Sequence, residues 1–343
     1  MATHHSKIHL ITLIALTGLT ACSEQLPDNN HLPKVAAIAE TTPVADTDDA
    51  ADDPVILVDS TLQKSIIVGT NKRRGLEWYD LSGKILGSID SGRINNVDAT
   101  STAQPGIFLL AGSNRTTLTL DVYRADLSAN SVELTKAINT NIEEPYGLCA
   151  NSELIFIGDK ASLIEAYRWP TDGVSQDKAP TLSLQFDSQT EGCVAYPEAN
   201  QLFVGEENAG IWRVDLSDGS KTLFAGLSAE GLVADVEGID IYRGETGPVL
   251  IASSQGDSSF VVFDLPGGRQ LAKFAVDGAS AAAIDGSEDT DGLAVYSDAL
   301  PGFPQGLLVT QDGFNSKPGL EDEYETQNFK VIDWRDVEAL LAR

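Results

Sequence analysis

The chain is short of histidine, cysteine and basic residues, and each shortage removes a class of chemistry. Its four histidines, His4, His5, His9 and His31, all precede the first recognisable repeat. Histidine-dependent phosphatase chemistry, Ser-His-Asp triads and imidazole-ligated zinc are thereby excluded from the rest of the chain. A cysteine-phosphatase loop needs Arg six residues after its Cys. Those positions after Cys22, Cys149 and Cys193 hold Asp28, Ile155 and Ala199. Any hydrolysis must therefore run on carboxylates, Lys, Arg, Tyr and metal. Bases number 23 against 51 acids, a net charge of −28, which repels nucleic acid and anionic lipid and sets both aside as partners. Aromatics make up only 7% and long amphipathic helical stretches are lacking, whereas glycine is frequent at 30 residues. Many short strands joined by Gly, Asp and Asn turns follow from that balance. Most of the acids serve a solvated surface; a minority are candidates for holding hard cations, which take oxygen ligands.

The first segment is an address. Met1 to Cys22 has a polar start with Lys7, an apolar run from Ile8 to Ala21 and the ending Leu19-Thr20-Ala21-Cys22. It is too short for a comfortable membrane span and fits a signal peptide whose ending looks like a bacterial lipobox, with Cys22 acylated. Residues 23–48, rich in Pro, Thr, Ala, Asp and Asn without an apolar period, read as a flexible tether. The folded domain is expected over residues 49–343, in the bacterial cell envelope or secreted, with the membrane touched only through the anchor.

From Asp49 onward one strand ending recurs: Glu77-Trp78-Tyr79-Asp80-Leu81, Val122-Tyr123-Arg124-Ala125-Asp126-Leu127, Glu165-Ala166-Tyr167-Arg168-Trp169, Ile211-Trp212-Arg213-Val214-Asp215-Leu216, Val261-Val262-Phe263-Asp264-Leu265 and Val331-Ile332-Asp333-Trp334. The first four lie at roughly 44–45 residue intervals, within the ~40–50 residue period of a propeller. The expected fold is all-β, a six-bladed β-propeller of four-stranded antiparallel blades. Repeat length disfavours a β-helix, and the lack of an internal linker disfavours two sandwiches. Pro54 to Val58 is expected to pair with the last blade and close the ring.

Polar strings fall between these strands, where axial loops belong. They include Asp52-Asp53-Pro54, Thr70-Asn71-Lys72, Asn95-Asn96-Val97-Asp98, Ser113-Asn114-Arg115, Glu144-Pro145-Tyr146-Gly147, Gln189-Thr190-Glu191-Gly192, Glu206-Glu207, Asp235-Val236-Glu237-Gly238, Ser253-Ser254-Gln255-Gly256 and Asp289-Thr290-Asp291-Gly292. Singly each reads as a turn. The run Asp285-x-Ser287-x-Asp289-x-Asp291-Gly292 has oxygen donors at alternate positions, a spacing that wraps a loop around calcium.

In this order the strings resemble the β-propeller (alkaline) phytases, over nearly all of the chain from Asp49 to Trp334. The resemblance implies a monomeric calcium-dependent 3-phytase removing phosphate stepwise from phytate, with several Ca2+ ions between acidic residues and substrate phosphates. By motif match it makes Asp52, Asp53, Glu191, Glu207, Asp235, Glu237, Gln255, Asp285, Asp289 and Asp291 candidate calcium ligands. Lys72, Arg115, Tyr146 and Lys160 become phosphate-gripping residues, with Glu191 and Glu207 also at the reacting centre. Charge supports this independently: a protein at −28 approaches a polyphosphate only with divalent cations between them. Ala161 stands where relatives often carry Glu, Ala99-Thr100 where an Arg is common nearby, and Val55-Ile56-Leu57 lacks a frequent Trp. Two other readings remain: a calcium-dependent lactonase or esterase propeller, which needs no basic clamp, and a non-enzymatic envelope scaffold, which needs no carboxylate cluster.

Cys149 and Cys193 follow equivalent motifs in neighbouring repeats and lie under the same face, either bridged or as two buried thiols. If Cys22 carries the lipid, Cys22→Ser should move the protein from the membrane to the soluble fraction; undiminished membrane association would refute the anchor.

Overall fold

A computed structural model describes residues 29–59, 64–170, 179–279, 284–317 and 320–341; the signal segment and Cys22 lie outside the described residues. The chain begins its fold earlier than the tether reading allowed. Strand β1 (Lys34–Glu40) forms within residues 23–48, so that expectation is corrected for the described part of the segment. Three separate sheets then follow in simple succession. The first is β2 (Ala51–Leu57), β3 (Ile66–Asn71), β4 (Gly75–Asp80) and β5 (Ile85–Asp90). The second is β6 (Ile94–Ser101), β7 (Ile107–Asn114), β8 (Thr119–Asp126) and β9 (Ser131–Asn139). The third is β10 (Pro145–Ala150), β11 (Leu154–Asp159), β12 (Leu163–Arg168) and β13 (Leu182–Gln185). A fourth holds β14 (Thr190–Tyr196), β15 (Gln201–Glu206), β16 (Gly210–Asp215) and β17 (Lys221–Gly226).

Six separate blades were expected, and the pairing gives four. The remaining long strands form one eight-stranded sheet. They are β18 (Val236–Gly244), β19 (Gly247–Ser254), β20 (Ser259–Asp264), β21 (Gln270–Asp277), β22 (Leu293–Tyr296) and β23 (Leu307–Asp312), with β1 and, beyond the small hairpin of β24 (Ser316–Lys317) and β25 (Leu320–Tyr324), β26 (Asn328–Asp333). The reason is β1, which pairs in parallel with β21 at Lys34↔Ala275 and antiparallel with β26 at Glu40↔Lys330. It therefore welds the strands on either side of it into one sheet. Closure is the work of β1; Pro54 to Leu57 pairs with β3 instead. Helix α1 (Trp334–Leu341) ends the fold, with the Trp334 ring stacked 3.9 Å from that of Tyr242.

The innermost strands β2, β6, β10, β14, β18 and β22 contact one another in a closed ring. Second strands are apolar on both sides because each sheet is sandwiched between two others; every residue of β3 is buried. The core lies between sheet faces, as where Val68 and Trp78 pack against Leu110 and Tyr123. Fourth strands meet solvent, and β5 has no buried residue.

One closure device is charged. Lys330 is fully buried on β26, its ammonium 2.6 Å from Glu40 and 3.1 Å from Asp312 and also paired with Asp285. Burial pulls that ammonium down, but the facing carboxylates of Asp312 and Asp285 outweigh it and raise it to about 12. Removing one member of such a group leaves a buried charge uncompensated.

Another is covalent. Cys149 on β10 and Cys193 on β14 form a disulfide with Cα atoms 5.5 Å apart, settling in favour of the bridge the alternative left open by the sequence. It staples the third sheet to the fourth beneath the face described below. Closing a loop across a separation of 44 residues restricts the unfolded chain by about 4 kcal/mol in the chain-entropy account. The paired Cys149→Ala/Cys193→Ala variant should lose roughly 2–4 kcal/mol of unfolding free energy in denaturant titration, whereas an unchanged midpoint would deny the staple any stabilising role.

Candidate active site

Two positions of the repeat build the site. The first is a β-bulge near the start of five of the six inner strands. Register shifts occur between Ala51 and Pro54, Ile94 and Val97, Pro145 and Leu148, Thr190 and Cys193, and Val236 and Ile239. The residues released from the ladder there are Asp52, Asn95, Tyr146, Glu191 and Glu237, and Asp291 stands just before β22 at the same end of the ring. A bulge bends its strand and re-aims a side chain. Glycine follows several of these residues because the next bulge comes so close: a Cβ on Gly147 would stand 2.2 Å from the Glu191 carbonyl oxygen, and one on Gly192 1.9 Å from that of Glu237.

The second position is the first residue after each second strand: Lys72, Arg115, Lys160, Glu207 and Gln255. Four of these are fixed by a backbone bond to the neighbouring loop. Lys72 N–H donates to the Ala50 carbonyl at 2.6 Å, Arg115 to Arg93 at 2.7 Å, Glu207 to Gln189 at 3.0 Å and Gln255 to Asp235 at 3.0 Å. Bulge and hairpin residues thus point to the same end of the axis.

There a cavity of about 460 Å³ is lined by Lys72, Tyr146, Glu191, Glu207, Asp235, Glu237, Gln255, Asp289 and Asp291, all picked out in the sequence. Lys72 is the knot of its basic side. Its ammonium lies 2.5 Å from Asp49, 2.9 Å from Asp291 and 3.1 Å from the almost wholly buried Asp52. Burial disfavours that charge, but Asp52, Asp291 and Asp49 together outweigh it and hold Lys72 well above its ordinary value.

Glu191, Glu207 and Glu237 face it from the fourth and eight-stranded sheets, with one oxygen from each lying within 4.8 Å of the others. Burial, then repulsion from Glu191, drives Glu237 well above the usual carboxylate range. Burial likewise pushes Glu207 and Asp291 to about 7, against the opposing pull of the Gln189 amide and of Lys72 respectively. Asp52 is raised by burial in spite of Lys72. Glu237 Oε2 and Asp52 Oδ1 are buried without a hydrogen-bond donor. Crowded oxygens, mutual repulsion and orphaned lone pairs are what a hard divalent cation would relieve, and the donor set fits one.

Tyr146 forms the other wall. Its phenol is raised far above the ordinary value by burial and by Glu191, Asp52 and Glu237, so it stays protonated and donates. The Arg115 guanidinium lies 5.4 Å and the Lys160 ammonium 4.7 Å from its ring centre. Arg115 reaches Asn95 Oδ1 at 3.1 Å, and Asn95 Nδ2 donates to Glu191 at 2.7 Å, linking the basic wall to the acidic one.

Two candidates lie elsewhere. Asp53 turns below the ring, accepting the Val97 N–H at 3.0 Å, and lines a second cavity of about 400 Å³ with Asp98 and Asp240. Asp285 belongs to the Lys330 group and accepts the Ser316 N–H at 2.5 Å. The run from Asp285 to Asp291 therefore does not wrap one ion as its spacing suggested: Ser287 bonds to Thr290 and the Gln311 carbonyl, and Asp291 to Lys72 and Gln255. Asn95, Glu144, Asp49 and Gln189 stand in or beside the polar strings but carry no role in the sequence reading. Aligning the repeats on the bulge would have found Asn95, which occupies the position of Asp52, Tyr146 and Glu191.

The raised carboxylates set a pH signature. An unfolded carboxylate loses its proton near pH ~4, whereas Glu207 and Asp291 keep theirs to about 7. In chelator the folded state is therefore favoured at acid pH, and stability falls as pH rises from ~4 through about 7. A cation binding the ionised cluster restores it. Thermal melts should show a larger stabilisation by added divalent cation at pH ~8 than at pH ~5, and Glu207→Gln should flatten the chelated profile. Equal gains at both pH values would take the cation away from these carboxylates.

A family model described as phytase matches residues 5–342. The 3-phytase of Bacillus subtilis (strain 168) is 34% identical over 351 aligned residues, which cover 95% of this chain and 90% of that protein. Among solved structures, a crystal structure of the computationally designed Ika8 protein shares 11% identity at a TM-score of 0.42 over 82% of this chain and 70% of that one, too slight a likeness to bear on the fold. With the repeat, the bulge ring and a match over nearly its full length, the chain belongs to the phytase family.

Proposed function

We propose that the protein removes phosphate stepwise from phytate, at the 3-position first as the name of its Bacillus relative suggests, with calcium as the cation of the carboxylate cluster. The observation that carries this reading is the meeting of Lys72, Arg115 and Lys160 with Glu191, Glu207 and Glu237 at one mouth of the axis. A calcium-dependent lactonase or esterase has no use for such a clamp, and a scaffold has none for buried, mutually repelling carboxylates. Calcium is favoured over softer metals because every donor is oxygen.

When bound, calcium would neutralise phosphate charge and acidify a water for in-line attack. The chain's own residues do the rest. Arg115 and Lys160, both beside the Tyr146 ring, donate to phosphate oxygens, and Lys72 supplies a third positive charge among the cavity-lining residues. Tyr146 adds a neutral donor, its phenol locked in the protonated form by the surrounding acids. Glu207, accepting the Gln189 amide on Oε1, offers Oε2 for the proton of the attacking water. No histidine or cysteine lines the cavity among the described residues, so no covalent phosphoryl intermediate on either is invoked. We place the protein at the bacterial envelope through Cys22.

Phosphate release from phytate, with and without chelator, tests the whole reading. Chelation should abolish turnover and lower the melting temperature together. Lys72→Ala, Arg115→Ala and Lys160→Ala should each cut the rate at least about tenfold, roughly 1.4 kcal/mol of transition-state stabilisation, while keeping cation-dependent stability. Asp235→Ala or Glu237→Ala should lose both. Undiminished hydrolysis in chelator, or basic variants with unchanged rates, would sink it.

A further inference from the structure

Glu144 precedes the first residue of β10, two residues before the cavity-lining Tyr146, and is half exposed. Its Oε1 is 3.4 Å from Arg115 Nη2 and 3.9 Å from Lys160 Nζ, so a single carboxylate oxygen bridges the two bases. Among the described residues no other carboxylate lies within ion-pair distance of either. Arg115 is also incompletely satisfied, since its Nε is buried with no acceptor. Lys72 makes a contrast: besides the exposed Asp49, the largely buried Asp52 and Asp291 hold it at 3.1 and 2.9 Å, and these two cannot move aside cheaply.

We propose that Glu144 is a displaceable counter-ion that occupies the phosphate seat between Arg115 and Lys160 in the free protein, and that it sets how much negative charge a ligand must bring to enter. The inference rests on the reading of these bases as phosphate-gripping. A half-exposed carboxylate touching two bases at long range is held weakly. A phosphate group brings up to two charges and three oxygens, enough to satisfy both bases and the orphaned Arg115 Nε at once. Once displaced, Glu144 remains next to the seat and repels whatever sits there. A weakly charged ligand cannot repay that repulsion, and a densely phosphorylated one can.

The sign of the effect separates this role from a positioning one. In the metal-loaded full chain, Glu144→Gln keeps the size and polarity of the side chain and removes its charge. KM for phytate and Ki for inorganic phosphate should both fall by about three- to tenfold, with kcat within about twofold of wild type. Added salt should narrow the gap between variant and wild type, because it screens the charge that the substitution removes. Unchanged or raised KM and Ki would overturn the proposal, since a residue that merely positions the bases would weaken binding when altered. Titrating inorganic phosphate calorimetrically into both proteins reads the same seat without turnover. A wild type that releases no phosphate from phytate would defeat the proposed function, yet the calorimetric comparison would still decide whether Glu144 guards an anion seat.

Discussion

Like charges crowded at one end of a narrow axis are the constraint around which the molecule is arranged. Inner strands converge there, and the bulge on five of the six turns one side chain inward. Acidic residues fill most of those places, and burial together with repulsion from Glu191 lifts Asp52, Glu237 and Asp291 out of the ordinary carboxylate range. Such a ring is tolerable only with positive charge close by. Lys72 supplies part of it and is driven to its fully protonated form by the same acids. Below neutrality the protons kept by the raised carboxylates relieve the rest, and above it a cation at the cluster would, so cation binding and folding are linked.

Holding that ring together falls to contacts between neighbouring inner strands. The Cys149–Cys193 bridge joins the third sheet to the fourth. Asp98 does comparable work without a covalent bond, accepting the Ala150 N–H at 2.6 Å, and Asp240 does it between β18 and β22 by accepting the Val295 N–H at 2.6 Å. At the seam, Lys330 gathers Glu40, Asp285 and Asp312 from three parts of the chain. Lateral fastening below the mouth keeps the side chains of different sheets in register while their charges push outward.

Much of this was legible before any coordinates. A repeated strand ending gave the propeller, and the polar strings fell at the bulges and hairpins because a strand's departure from apolar alternation is where its backbone leaves the ladder. What stayed hidden was long-range. The stretch from Lys34 to Glu40 reads as tether by composition, since only its pairing with β21 and β26 makes it a strand. Asp285 looks like a calcium ligand by spacing, but its partner Lys330 lies 45 residues further on. Asn95 carries no charge to draw the eye, yet it connects Arg115 with Glu191. The blade count changed for the same reason as the tether: β1 joins sheets that local sequence describes as separate.

The hairpin position shows how a repeated scaffold acquires direction. Along the chain it is occupied by Lys72, Arg115 and Lys160, then by Glu207 and Gln255. All are placed by the same step of the fold, so their charge is free to differ while their geometry is not. Bases therefore come from the first three sheets, and the acids facing them come from the fourth and the eight-stranded sheet, with Asp52 alone of the acidic bulge residues on the basic side. In the proposed function a phosphate held between the halves would meet donors on one side and carboxylates able to hold a cation on the other, an asymmetry that a ring of identical repeats could not offer. Aligning the attacking oxygen, phosphorus and leaving oxygen requires such a polarised pair of walls. Direction here comes from changing the sign of a few side chains at one fixed backbone position.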